Sequence, residues 1–430
     1  MSTDELKNIK YLKIILYLLF FTPSLTKGLI APGIALSDIT LLTSVSLAFL
    51  FLRSKDFFII PTWVFYGFFI YLWILITAFF AYQYSIFFAS DEFFKSFFKY
   101  SFYFLSVSII SIFLKKIDIK IISKIMLNVV FINSIIGVYI LFSQLLKDIT
   151  GIQIPYNFFW LGHDGPLSIG EDLDRWTIGN IMLVKLRGQF GEPSLYAISQ
   201  VLMLTFIYLK DEKLFKESLY KISFIIFTLF LTVSLTAYFL IFLLIVCIFI
   251  KDRKFFLTLK NIRISVFSIM IFLILAELSP VAPSKIFNQL ILNRTSEVIG
   301  GTDRSSVKRL YGSLDTASYV IERSPIYGSS LGNVDIFFDK SGGQLSYITG
   351  RDEQIDLQEA VIHNIPLYYL ASLGYIGFFL FLGSLLFVIR ASTFIGALPF
   401  LASLAATGTL LEASFWVLYL LFSSNFRLNK

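Results

Sequence analysis

Two polar stretches of this 430-residue chain hold the side chains best suited to chemistry. The first ends in Arg187-Gly188-Gln189-Phe190-Gly191-Glu192-Pro193-Ser194. A guanidinium fork beside Gly188 suits an anionic ligand, because glycine lets backbone approach closely while arginine donates parallel hydrogen bonds. Glu192-Pro193 also reads as a helix start: proline loses no hydrogen bond in a first turn, and the dipole favours a carboxylate there. The plain alternative is a helix entry with a snorkelling arginine. The second stretch contains Gly300-Gly301-Thr302-Asp303-Arg304, then Lys308-Arg309, then Arg323-Ser324-Pro325-Ile326-Tyr327-Gly328 and on to Asn333. Glycine-punctuated backbone beside guanidinium groups suits a diphosphate, with contact to anionic lipid headgroups as the plain alternative.

The second stretch closes on His363-Asn364, with Gly374 and Gly377 beyond. Asn364 is a favoured N-cap and Pro366 fits a first turn, so the spacing predicts a helix from there through Leu370. The positive end of such a helix disfavours imidazolium and keeps His363 able to accept a proton. Were the helix to start earlier, Glu359 would sit one turn before His363 and favour its charged form.

Other polar residues carry less. Glu171, Asp172 and Asp174 read as a solvated acidic loop, and His163-Asp164-Gly165 as a turn. With two histidines and one cysteine the chain offers no convincing transition-metal ligand set, so no metal and no cofactor is expected. Cys247 lies in an apolar run, where packing is its expected role.

The elements that position these residues are set by composition. The chain is 57% hydrophobic and 15% charged, with a mean hydropathy of +0.77, which is too apolar for a soluble domain of this length. The expected fold is an all-α, polytopic membrane bundle of about twelve spans in a single transmembrane domain. Candidate spans are 11–30, 36–52, 60–80, 94–114, 121–145, 193–209, 222–234, 236–250, 264–278, 374–390, 394–407 and 409–425. The lysine and arginine clusters between them all fall on one side of this scheme, the cytoplasmic side by the positive-inside rule. The net charge of +7 therefore sets orientation and does not signal nucleic acid. Both termini are then cytoplasmic, and the loops 146–192 and 279–372 are extracytoplasmic. The block 222–250 decides the count: basic connectors flank both ends, so it should be a hairpin turning near Ser234-Leu235-Thr236. Its short arms require a thinned bilayer or a turn buried in the bundle.

Taken together, these motifs resemble the O-antigen polymerase and O-antigen ligase superfamily, integral membrane enzymes of the glycosyltransferase-C type. The likeness rests on glycine-flanked Arg304, the Ser-Pro-x-x-Gly-x-x-x-Gly-Asn run ending at Asn333, His363-Asn364 with Gly374 and Gly377, and Arg187 through Ser194. It implies a bacterial inner-membrane enzyme acting on oligosaccharide repeats linked to undecaprenyl diphosphate at the extracytoplasmic face. It also implies pathway partners, a chain-length regulator and a flippase. Arg187 and Arg304 would neutralise the diphosphate, with Arg309 as a further candidate. His363 would take the acceptor's proton, and Gly188, Glu192 and Asn364 would shape the substrate site. The tryptophan common after the second-loop arginine is absent, since Lys308, Arg309 and Tyr311 occupy that region, so Arg304 and Arg309 both stay candidates. Gly-Glu-Pro-Ser favours a polymerase over a ligase. A flippase would concentrate charge within its spans, whereas here Glu277 and Glu412 stand nearly alone near apolar ends.

Overall fold

The computed structural model describes residues 3–25, 29–31, 34–53, 56, 60–84, 87–151, 175–178, 181–184, 186, 190, 192–232, 234–252, 312–343, 362–405 and 412–424. These residues are mostly helical. Among the described residues, four helices are long and apolar enough to cross a membrane: α3 (Thr62–Tyr84), α4 (Ser90–Leu114), α5 (Ile119–Thr150) and α12 (Ile365–Ser392). Each is of the length and apolarity that lipid demands of a chain satisfying its own backbone.

The remaining apolar helices are α1 (Thr3–Phe21), α2 (Leu36–Phe49), α6 (Pro193–Lys210), α8 (Leu219–Phe230), α9 (Leu235–Lys251), α13 (Phe394–Ser403) and α14 (Ala413–Ser423), with a polar α7 (Glu212–Glu217) in the lysine-rich connector. The first span ends earlier than 11–30 predicts. Proline cannot extend the hydrogen-bond ladder, so the chain tightens into a 3-10 turn at Thr22–Leu25 that includes Pro23. A short antiparallel pair, β1 (Leu29–Ala31) with β2 (Ile34–Ala35), follows. A second pair, β3 (Arg175–Ile178) with β4 (Ile181–Val184), lies in the first polar stretch. The expected span 264–278 lies outside the described residues.

α6 sits at the centre, buried on nearly every side from Pro193 to Tyr208, among α5, α9, α13 and α14. The 222–250 block is indeed split, with α8 and α9 meeting at Leu231–Ser234. At about 1.5 Å per residue, α8 is roughly 18 Å long, short of a bilayer core of about 30 Å. The turn is buried instead: Thr232 is fully enclosed, and the Leu231 carbonyl accepts a hydrogen bond from the Leu186 N–H at 3.0 Å.

The charged connectors gather at one end. Lys116 pairs with Asp56, and Ser111 meets Ser424 at 3.4 Å. Ser392 donates to the Phe422 carbonyl at 3.2 Å, and Lys210 donates to the Ala391 carbonyl at 2.8 Å. Lys216 bridges Glu212 and Asp252; bonding to both carboxylates raises its pKa above the ordinary lysine value. At the opposite end, α10 (Ser313–Arg323) and α11 (Val334–Lys340) pack on the start of α12 through Ala317, Val320, Val334, Ile362 and Ala371. The sequence reading assigned no helix to α10, although Ala317, Val320 and Ile321, all buried, follow the i, i+3, i+4 spacing of an amphipathic helix.

Candidate functional site

α12 is two helices joined at Gly374, whose φ of 67° and ψ of −170° are open to glycine and little else. The break leaves main-chain groups unpaired inside the helix, and the segment from Pro325 to Ser330 takes them up. Ser329 N–H donates to the Ala371 carbonyl at 2.9 Å, Ser330 N–H to the Ser372 carbonyl at 2.8 Å, and Tyr375 N–H to the Pro325 carbonyl at 2.8 Å. Trp73 of α3 adds an indole N–H to the Leu373 carbonyl at 2.9 Å. Gly328, at φ 67°, lies so close to α12 that a Cβ there would sit 2.5 Å from the Ala371 carbonyl oxygen. Asn333 ties the same segment to the α3–α4 turn, its Oδ1 accepting from Ala89 N–H at 2.7 Å. The run from Ser324 to Asn333 is therefore a fastening for the kink. Its glycines serve close packing against protein, in place of the phosphate cradle that their spacing suggests.

His363 stands at the free end of the short first half of α12. Asn364 is the N-cap, and its side-chain oxygen accepts from Leu367 N–H at 3.1 Å. On one side the His363 N–H donates to Ser313 Oγ at 3.0 Å. On the other, the Ile365 N–H donates to the Leu404 carbonyl at 3.1 Å. The half-buried imidazole is thus carried on backbone held by α10 and by the end of α13, the kind of rigid support a reactive group requires. The helix begins at Ile365, and Glu359 lies outside the described residues.

Glu192 is the N-cap residue of α6. Its carboxylate accepts from Ser194 Oγ at 3.0 Å, and its carbonyl accepts from Tyr196 N–H at 3.2 Å. Phe190 packs edge-on against Tyr196, ring centres 5.5 Å apart, and the Tyr196 hydroxyl meets Thr228 at 2.8 Å and Ser134 at 3.1 Å. This entry to α6 is firmly anchored. Arg187, Gly188, Arg304 and Arg309 lie outside the described residues; in sequence, Arg309 precedes Ser313, the residue that holds His363, by a single turn's length of chain.

Glu412 is a residue that sequence reasoning undervalued. It occupies the N-cap position of α14, with Ser414 Oγ donating to its carboxylate at 3.3 Å. The Tyr103 phenol donates to Asp38 at 2.7 Å. The starts of α6 and α14 flank one small cavity lined by Leu195, Ser199, Ser403, Ser414 and Phe415. The signal was present as a repeated pattern, Glu192-Pro193-Ser194 and Glu412-Ala413-Ser414. Among the described residues, no three His, Cys, Asp or Glu side chains converge as a metal site.

No curated protein sequence matches the chain. Residues 222–382 match the family model described as O-antigen ligase. That stretch runs from α8 into the second half of α12 and includes Arg304, Arg309, His363 and Asn364, whereas Arg187, Gly188 and Glu192 precede it. The match at residues 222–382 thus supports, for that stretch of this membrane protein, the likeness to the O-antigen polymerase and O-antigen ligase superfamily.

Proposed function

We propose that the protein is a polymerase of oligosaccharide repeat units carried on undecaprenyl diphosphate, working at the extracytoplasmic end of the bundle, with both termini cytoplasmic. The acceptor sugar hydroxyl attacks the anomeric carbon of the donor glycan. A new glycosidic bond forms as the bond from that carbon to the diphosphate oxygen breaks, and undecaprenyl diphosphate leaves with the electron pair. His363 takes the hydroxyl proton. Arg187 and Arg304, with Arg309 as a further candidate, neutralise charge on the departing diphosphate, so the leaving group needs no metal to stabilise it. Gly188, Glu192 and Asn364 shape the surrounding site. The extracytoplasmic loops 146–192 and 279–372 supply these arginines, and a chain-length regulator and a flippase of the same pathway are the expected partners.

The observation that carries this reading is the placement of His363, fixed by the Ser313 hydroxyl and the Asn364 cap at the end away from the charged connectors, inside the matched stretch. The test is to incubate purified protein with a defined undecaprenyl-diphosphate oligosaccharide alone and separate the products by size. A ladder of added repeats is expected. The family description favours a second reading, transfer to a lipid A core: there the ladder would be absent and a product would form only when that acceptor is supplied. No reaction with any acceptor would return the chain to a flippase role.

Arg187→Ala and Arg304→Ala should each weaken donor use far more than His163→Ala, measured as kcat/KM for the lipid-linked donor. Equal effects at all three would remove the diphosphate assignment. Lysine at either position should also be impaired, because an ammonium cannot reproduce a forked donor. Asn364→Ala should lower stability by about 1 kcal/mol through loss of the cap, and should reduce turnover by loosening the backbone beside His363.

A further inference from the structure

The end of α3 and the segment following α10 enclose a concave groove of about 380 Å3, within the range of roughly 300–1,000 Å3 typical of small-molecule sites. Its wall includes Phe80, Tyr84 and Tyr327, members of a continuous aromatic stack that Trp73 backs from outside the groove. Trp73 lies against Tyr327, 6.0 Å between ring centres and 20° from parallel; Tyr327 lies against Phe80 at 4.2 Å and 22°; Phe80 lies against Tyr84 at 6.0 Å and 16°. Phe87 and Phe337 meet edge to face, 6.1 Å apart, and complete the apolar lining. The Arg323 guanidinium, stacked over Tyr319 at 3.6 Å, stands at the groove with Ser324 and Ser329.

We infer that this groove is an oligosaccharide-binding subsite, holding sugars next to the point of transfer; the inference rests on the glycan-transfer reading above. Sugars present flat C–H faces, which suit the negative face of Tyr84, the exposed ring at the end of the stack, and a rim of hydroxyls, which suit arginine, serine and tyrosine. An interfacial aromatic belt would explain exposed rings on α3 alone. It does not explain a concavity closed by Tyr327, Phe337 and Arg323 from a segment distant in sequence. Position supports the same occupant. The groove floor at Ser329 is bonded to the Ala371 carbonyl, six residues into α12, or about 9 Å along the axis from Ile365 at 1.5 Å per residue. That separation from the His363 end is comparable to a short run of linked sugar rings.

The test uses the full-length protein in nanodiscs and, as probe, the free glycan released by mild acid from lipid-linked substrate, one and two repeats long. Binding is measured in the absence of donor. Wild type and His363→Ala should bind the two-repeat glycan equally, and Tyr84→Ala and Tyr327→Ala should each weaken it by about tenfold. Tyr84 is 81% exposed, so its variant keeps the test sound even if Tyr327→Ala unfolds. Equal affinity in wild type and Tyr84→Ala would overturn the inference, as would a signal displaced by polyprenyl phosphate but not by glycan, which would assign the groove to a lipid chain. An intact product ladder without groove binding would count against this inference alone. Groove binding without any ladder would count against the transfer reading alone.

Discussion

His363→Ala should abolish chain extension while leaving a folded, membrane-inserted protein. A positioned base contributes about 10² to 10⁴ in rate, a loss large enough to remove the ladder from a product gel. The variant separates chemistry from structure because the two use different atoms. The anchor to Ser313 is made by the backbone N–H of residue 363, which alanine keeps, and the cap belongs to Asn364. Loss of the ladder with an unchanged thermal melt is the expected pair of results. Full activity would remove the base assignment, and loss of the melt would make the imidazole structural.

Gly374→Ala should have the largest effect on stability. A Cβ at this position would lie 2.1 Å from the Ile326 carbonyl oxygen and 2.4 Å from its carbon. Both are backbone atoms, so no rotamer change relieves the clash. The φ of 67° adds strain of its own. Such a conformation costs a non-glycine residue on the order of 1–3 kcal/mol before any clash, and the displaced segment would then lose its bonds to Ala371 and Ser372. Little folded protein is expected by size-exclusion chromatography in detergent. A melt within a few degrees of wild type would mean that the kink relaxes without its fastening.

The helices were legible wherever lipid acts as the solvent, since a spanning helix must announce itself as a long apolar run. Capping chemistry placed two ends closely: Pro193 marks the start of α6, and Asn364 with Pro366 marks the start of the helix beyond His363. Apolarity misled where composition and conformation part, as at the end of the expected span 11–30, where the chain is a 3-10 turn at Thr22–Leu25 and a strand at Leu29–Ala31. It also understated α12, whose first half precedes the span 374–390 because a single glycine interrupts one continuous axis. The role of Ser324 to Asn333 was illegible for a different reason. Its partners, Ala89 and Ala371, are remote in the chain, and nothing local in a glycine-rich run distinguishes a ligand cradle from a packing joint. Glu412 reads in the sequence as a stray carboxylate near an apolar end, and its N-cap position, matching that of Glu192, shows only in the structure.

The joint at Gly374 is made almost wholly of main-chain atoms: the N–H groups of Ser329, Ser330 and Tyr375 and the carbonyls of Pro325, Ala371 and Ser372. Such a joint is nearly blind to side-chain identity. Homologous sequences are free to drift at the exposed positions 326 and 375 without moving the histidine-bearing half-helix, provided that Gly328 and Gly374 stay as they are. The geometry at His363 is thereby inherited separately from the exposed side chains around the joint.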